Sequence, residues 1–307
     1  METFEAELLG GPRCELGEGP IWNAATGELV WVDILGKAMH RAPLSADGAL
    51  GEVRTNAVPA HLGAVVPVAS GGYLLAMGQG FAHLADDGGV TPLAQPEAAS
   101  EGANRMNDAK CDAHGRWFAG SMAYSNAPGA GTLYRVELDG EVTSVLTDQT
   151  IPNGLGWNTD GTTMYLNDSG AQTLTAYDFD LETGDLAGPR VLVRAGDGST
   201  PPDGTPPHGT MPDGLTTDDA GTIWTAWWDG GIVRHYDAAG ELLTQVRVPV
   251  RRSSSCCFAG PDRDLLVITT GVTDGLDEPD AGRLFLARPG VTGPAAVPFA
   301  GELPTAR

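Results

Sequence analysis

The chain has 307 residues and a net charge of −22, and its 43 glycines and 22 prolines are spread between short apolar runs. So acidic a surface repels phosphate backbones, which sets nucleic acid aside as a partner. No apolar stretch approaches the roughly 18 residues of a membrane helix, and a chain of this length buries roughly 75% of its unfolded surface without disulfide or metal staples.

Residues 1–10 are acidic and lack a basic n-region and a long apolar core, so no signal peptide is expected and the chain reads as soluble and cytoplasmic. Cys14, Cys111, Cys256 and Cys257 form no C-x-x-C pair, and free buried thiols in a reducing compartment are expected. Lysine occurs only at Lys37 and Lys110.

From residue 18 onward a unit repeats: a small or polar residue, Gly and an apolar residue, a turn rich in Asp, Asn or Gly, then a second strand. Glu18-Gly19-Pro20 leads to a strand over 28–33, Leu62-Gly63-Ala64 to 72–76, and Asn107-Asp108-Ala109 to 115–120. Asn153-Gly154-Leu155 leads to 164–168, Asp213-Gly214-Leu215 to 221–226, and Ser255-Cys256-Cys257 to 265–269. The leading positions are 44, 45, 46, 60 and 42 residues apart, the pitch of a four-stranded propeller blade. The long step contains residues 196–209, rich in Gly, Pro and Asp, read as a surface loop. No long segment has apolar residues at helical spacing. The pattern predicts an all-β fold, a six-bladed β-propeller forming a single domain over residues 1–307. A sandwich is the other all-β arrangement, and the regular pitch favours radial stacking.

In a propeller the first strand of each blade lines the central channel, so the leading residues ring the axis. Here they are Glu18, Leu62, Asn107, Asn153, Asp213 and Ser255. Carboxylates and carboxamides facing one point require a counter-charge, and the ring itself has no Lys or Arg, although Arg105 is close by. Such oxygens suit one divalent metal ion, Ca2+ first, then Mg2+, Mn2+, Fe2+ or Zn2+.

With these residues in place, the chain resembles the SMP-30/gluconolactonase/regucalcin family over nearly its whole length. The segments that carry the resemblance are Leu16-Gly17-Glu18-Gly19-Pro20, Arg105-Met106-Asn107-Asp108, Ile151-Pro152-Asn153-Gly154-Leu155, Pro212-Asp213-Gly214-Leu215 and Ser255-Cys256-Cys257-Phe258. The resemblance implies that Glu18, Asn153 and Asp213 are metal ligands, that Arg105 and Asn107 hold substrate oxygens, and that the activity is opening of an aldonolactone. One departure matters. Lactonases of the family often carry an acid shortly after Gly-Ser/Thr-Met, whereas Gly120-Ser121-Met122 is followed here by Ala123, Tyr124, Ser125 and Asn126. Tyr124 is either a substrate-binding ring or a loop aromatic.

Lactone hydrolysis needs a polarised carbonyl and an activated water, and a metal with open positions serves both ends. Asp213 as base and a metal-bound hydroxide as nucleophile both fit; Arg105 suits a developing oxyanion. The sequence has no G-x-S-x-G elbow, with Ser169 the nearest turn serine, and no H-E-x-x-H motif. His61 either reaches the channel or packs, and His208 falls in the long loop. Trp227, Trp228 and Asp229 either wall the pocket or pack, and Cys256 reads as a packed thiol without an activating base. Rival readings are a calcium-dependent phosphotriesterase-like hydrolase, a biosynthetic ester or lactone enzyme, and a non-catalytic calcium- or partner-binding propeller. The expected partner is a small lactone, with the protein a monomer or weak homo-oligomer.

Overall fold

A computed structural model describes residues 2–195, 210–272 and 275–304. Among these residues the strands form six sheets, each built on four antiparallel strands. The innermost strands are Gly17–Asn23, Leu62–Pro67, Asn104–Cys111, Pro152–Trp157, Met211–Thr217 and Arg252–Ala259. Each touches the next around the ring, and the last touches the first. The architecture is the six-bladed β-propeller that the repeat predicts. Residues 196–209, with the long loop and His208, lie outside the described residues.

The apolar residues of the repeat do not build one central core. Among the described residues they form six clusters, one between each pair of neighbouring blades. Trp224 meets Phe258 and Ile268 between the fifth and sixth blades, and Trp31 meets Leu265 and Val267 between the first and sixth. Met106 and Trp117 pack on Phe81 between the second and third, and Phe118 packs on Met164 and Phe179 between the third and fourth. A strand covered on both faces by neighbouring blades reads as a nearly continuous apolar run, which is why Leu265–Gly271 is buried along its whole length. Burial declines outward, and Leu186–Arg194, an outermost strand, is largely exposed. The 3-10 turn Ala98–Ser100 is the only helical element among the described residues, so no helix there is long and apolar enough to cross a membrane.

Ring closure is a feature the repeat does not predict. The sixth blade takes only three strands from the C-terminal end of the chain. Glu7–Gly10 pairs antiparallel with Leu284–Ala287 to complete it. Glu2–Glu5 adds a parallel fifth strand to Leu242–Arg247 of the fifth blade. At the other end of the chain, residues 292–304 cross the ring on the face where the innermost strands end. Thr292 accepts from Asp219 N at 2.8 Å, Ala296 N donates to Trp22 O at 3.1 Å, Phe299 N to Pro67 O at 2.8 Å and Glu302 N to Leu138 O at 2.8 Å. This strap roofs a cavity of about 240 Å³ walled by Ile21, Val65, Lys110, Trp157 and Cys257. The cavity lies at the opposite end of the channel from the leading residues of the repeat.

Candidate active site

Every innermost strand loses register with its neighbour at the same height. The breaks lie between Glu18 and Ile21, Leu62 and Ala64, Met106 and Ala109, Pro152 and Leu155, Pro212 and Leu215, and Ser253 and Ser255. A bulge re-aims the side chains beside it, so the E-G, N-D, N-G and D-G dipeptides are the places where the ladder lets polar side chains leave the sheet. The glycines also permit close approach of neighbouring blades. A Cβ on Gly154 would fall 2.2 Å from Leu215 N, and one on Gly214 would fall 2.0 Å from Ser255 Oγ. In the sixth blade the break brackets Ser254, one residue before the expected Ser255. Ser254 Oγ donates to Gly17 O at 2.6 Å, while Ser255 pairs with Thr269.

Glu18, Asn153 and Asp213 are all buried. Asn153 Nδ2 donates to Asp213 Oδ1 and, at 3.0 Å, to Ser169 Oγ, which leaves its amide oxygen as the remaining acceptor. Ser169 Oγ in turn donates to Pro212 O at 2.7 Å, and Asn167 Nδ2 holds Asp213 O at 2.6 Å. Ser169 is thus a buried brace, not an exposed nucleophile. Glu18 Oε2 accepts from Gly19 N at 3.0 Å.

The carboxyl groups repel one another. Burial first and the Asp108 charge second push Glu18 up to about 8. Burial, then Glu18 and Asp108, hold Asp213 well above the ordinary carboxylate range. Asp108, raised mainly by burial, is a member of the cluster that the sequence reading missed, although the Asn107-Asp108 pair was visible. Lys110, the other missed member, donates to Leu215 O at 2.7 Å, and burial lowers its pKa against the pull of Asp108. Arg105 thus acts on Glu18 and Asp213, and Lys110 on Asp108. Two buried carboxyl groups that act on each other, with an amide whose oxygen is not otherwise engaged, make a hard-oxygen donor set that fits a divalent cation.

Arg105 is buried, and its Nη1 donates to Met106 O at 2.9 Å and Asn107 Oδ1 at 2.8 Å. Burial lowers its pKa, while Tyr124, Glu18 and Asp213 favour its charge. Asn107 Nδ2 donates to Pro152 O at 3.1 Å, so both ends of that amide are engaged. Tyr124 follows the strand Trp117–Ala123, its N–H bonded to Ala103 O at 2.9 Å, and its ring is 49% exposed. The phenol meets His61 Nδ1 at 2.8 Å.

The remaining candidates divide cleanly. Trp227 is buried beneath the Arg234 guanidinium, 4.6 Å from its ring centre. Asp229 pairs with Arg251 and Arg252 at 3.3 and 3.2 Å, and Arg252 also covers Trp228. Cys256 is buried and pushed up to about 12, which suits a packed thiol. Cys14, Asp33 and His40 bring ligand-type atoms within 4.8 Å of one another, but outside this cluster. There the Asp33 oxygens already cap Glu15 N, Leu16 N and Gly36 N at 2.9–3.0 Å.

The family described as "SMP-30/Gluconolactonase/LRE-like region" matches residues 16–272. Regucalcin of Gallus gallus is 33% identical over 315 residues, covering 98% of this chain and 100% of the relative. Pentonolactonase XacC of Haloferax volcanii is 36% identical over 263 residues, covering 85% and 84%. The solved structure of a calcium-binding protein, regucalcin, from Agrobacterium tumefaciens superposes with a TM-score of 0.86 at 28% identity, over 97% of this chain and 99% of that one. The matched region contains all six register breaks and the whole acid cluster, and the chain belongs to the SMP-30/gluconolactonase/LRE-like family.

Proposed function

We propose that this chain is a metal-dependent hydrolase that opens a lactone ring, with aldonolactones the first substrates to test. The observation that carries the reading is the bond from Asn153 to Asp213, with the Glu18 charge acting on Asp213, at three register breaks and with Arg105 buried nearby. The relative named pentonolactonase supports the reaction class, and the relatives named regucalcin, one described as calcium-binding, support Ca2+ as the first ion to try.

Glu18, Asp213 and the Asn153 amide oxygen would hold the ion. A divalent cation there supplies Lewis-acid polarisation of a carbonyl and lowers the pKa of water. Arg105, fixed by Asn107 and the Met106 carbonyl, is oriented before substrate arrives and stabilises negative charge developing on the carbonyl oxygen. Asn107 thus acts through Arg105 as well as lining the substrate pocket. Asp213 takes a proton from the attacking water where its carboxylate is free of the ion; a cation bound there would lower its proton affinity against the rise that burial causes. Its partner Asn153, braced by Ser169, fixes its orientation.

We further place the protein in a reducing, cytoplasmic setting, since all four cysteines are buried and unpaired. It acts as one propeller unit over residues 1–307, monomeric or weakly self-associating. The test is a chelation and reconstitution series with Ca2+, Mg2+, Mn2+, Fe2+ and Zn2+ against aldonolactones and aryl phosphotriesters. Ion-dependent opening of a lactone supports the reading; cleavage of phosphotriesters alone, or no turnover with any ion, overturns it.

A further inference from the structure

The polar groups on the Arg105 side of the mouth are already paired with each other. Asn107 Oδ1 and Met106 O are spent on Arg105, and Asn107 Nδ2 on Pro152 O. His61 Nδ1 is spent on the Tyr124 hydroxyl at 2.8 Å. That bond ties the imidazole and the phenol to each other at the edge of the mouth. What this wall leaves uncovered is Tyr124, a residue 49% exposed whose ring stands beside that of His61. A polyhydroxylated substrate pressed on the face of the Tyr124 ring would bury hydroxyls against carbon, which is costly. An apolar substituent would cover ring surface at no such cost.

Resting on the lactone-opening reading, we infer that Tyr124 and His61 form a specificity pair that selects lactones bearing an alkyl or aryl substituent over polyhydroxylated ones. Tyr124 makes the contact. His61 is a positioning residue: its ring lies 5.5 Å from the Tyr124 ring, tilted by 60°, and holds the phenol in place. Burial and the neighbouring Arg105 and Lys37 charges lower the His61 pKa, which favours the neutral ring beside the phenol.

The test compares kcat/KM for a hexyl- or phenyl-substituted δ-lactone with that for glucono-1,5-lactone, in the parent and in Tyr124→Glu, Tyr124→Phe and His61→Ala. The parent should favour the apolar lactone at least about tenfold. Tyr124→Glu supplies an acceptor for hydroxyls and should move that ratio roughly 10- to 100-fold toward gluconolactone, mainly through KM. Tyr124→Phe, which keeps the ring but frees it from His61, and His61→Ala should both weaken the preference, mainly through KM and by less than Tyr124→Glu does. Should a variant lose turnover, calorimetric binding of the matching inert lactams reads the same ratio. A parent that prefers gluconolactone, or a ratio indifferent to Tyr124→Glu, overturns this inference while leaving lactone opening intact. No opening of either lactone with any divalent ion overturns both.

Discussion

The side-chain amide of Asn153 donates to the carboxylate of Asp213, 60 residues further along the chain. The bond crosses from the fourth blade to the fifth at the height where both innermost strands lose register. Because burial and two neighbouring acids raise the Asp213 pKa, this carboxylate costs the fold stability unless a cation joins it.

Asp213→Asn removes that charge with little change of shape. Without added ion, the variant should melt above the parent near pH 8, because one repelling carboxylate is gone. With ion the order reverses. The parent gains about 2.7 kcal/mol at a hundredfold excess over Kd, whereas the variant gains almost nothing. Loss of a residue that merely supports a metal ligand costs 10- to 100-fold, so loss of the ligand itself should cost at least about 100-fold in turnover. Thermal melts with and without chelator, together with initial rates, check both parts; an ion-induced shift equal to the parent's would remove Asp213 from the ligand set.

Glu18 gives stability a defined pH dependence. Its folded pKa is raised from 4.5 to about 8, so between those values the folded chain keeps a proton that the unfolded chain has released. Stability without a cation therefore falls as pH rises through this window. A divalent ion competes with the same proton, so its affinity rises with pH over the same range. The gap in melting temperature between ion-loaded and chelated protein should widen from pH 5 to pH 8. Glu18→Gln should flatten the chelated curve. A gap that stays constant in the parent contradicts the assignment.

Much of this was legible because the repeat carries its own punctuation. Glu18, Asn107, Asn153 and Asp213 precede Gly or Asp at one repeat position, and that position is where the ladders break. The sixth blade carries no such mark: Ser253, Ser254 and Ser255 offer no glycine, the ladder breaks at Ser254, and Ser255 sits against Gly214 of the fifth blade. Asp108 and Lys110 were passed over for a different reason. Strand alternation does not reveal that a bulge delivers adjacent residues to one buried space. The role of residues 2–10 was invisible in the repeat because pairing with Leu284–Ala287 joins opposite ends of the chain, and no local pattern encodes so distant a partner.

Arg116 should prove a far more costly ion-pair residue than Arg190. Arg116 and Asp112 are almost fully buried, with Nε 2.7 Å from Oδ2, and Arg116 also donates to Glu182 O and Leu181 O of the fourth blade. Removing one partner leaves Asp112 buried and uncompensated, so Arg116→Ala should destabilise by about 3–5 kcal/mol. The Arg190–Asp178 pair is equally short at 2.6 Å, but both side chains are at least half exposed. Solvent screening limits Arg190→Ala to about 0–1 kcal/mol. Denaturant unfolding of the two variants tests the ranking, and similar midpoints would show that the Asp112 site relaxes or hydrates when Arg116 is lost.

The N-terminal strands should act as the clasp of the ring. Without Glu7–Gly10, the strand Leu284–Ala287 becomes an unpaired edge, and the cluster between the first and sixth blades loses Leu9. Without Glu2–Glu5, the fifth blade loses its parallel fifth strand. An exposed edge beside an opened apolar interface is a template for aggregation. Deleting residues 2–10 should therefore lower the melting temperature, broaden the transition and produce concentration-dependent association. Leu9→Ala, which keeps the backbone pairing, should cost only about 1–3 kcal/mol because Leu9 is partly buried. Because the acid cluster spans the first, third, fourth and fifth blades, loosening the ring should also weaken divalent-ion binding. A deletion variant that melts with the parent's cooperativity and binds the ion as tightly would mean that the C-terminal strap and the interblade packing hold the ring closed without the clasp.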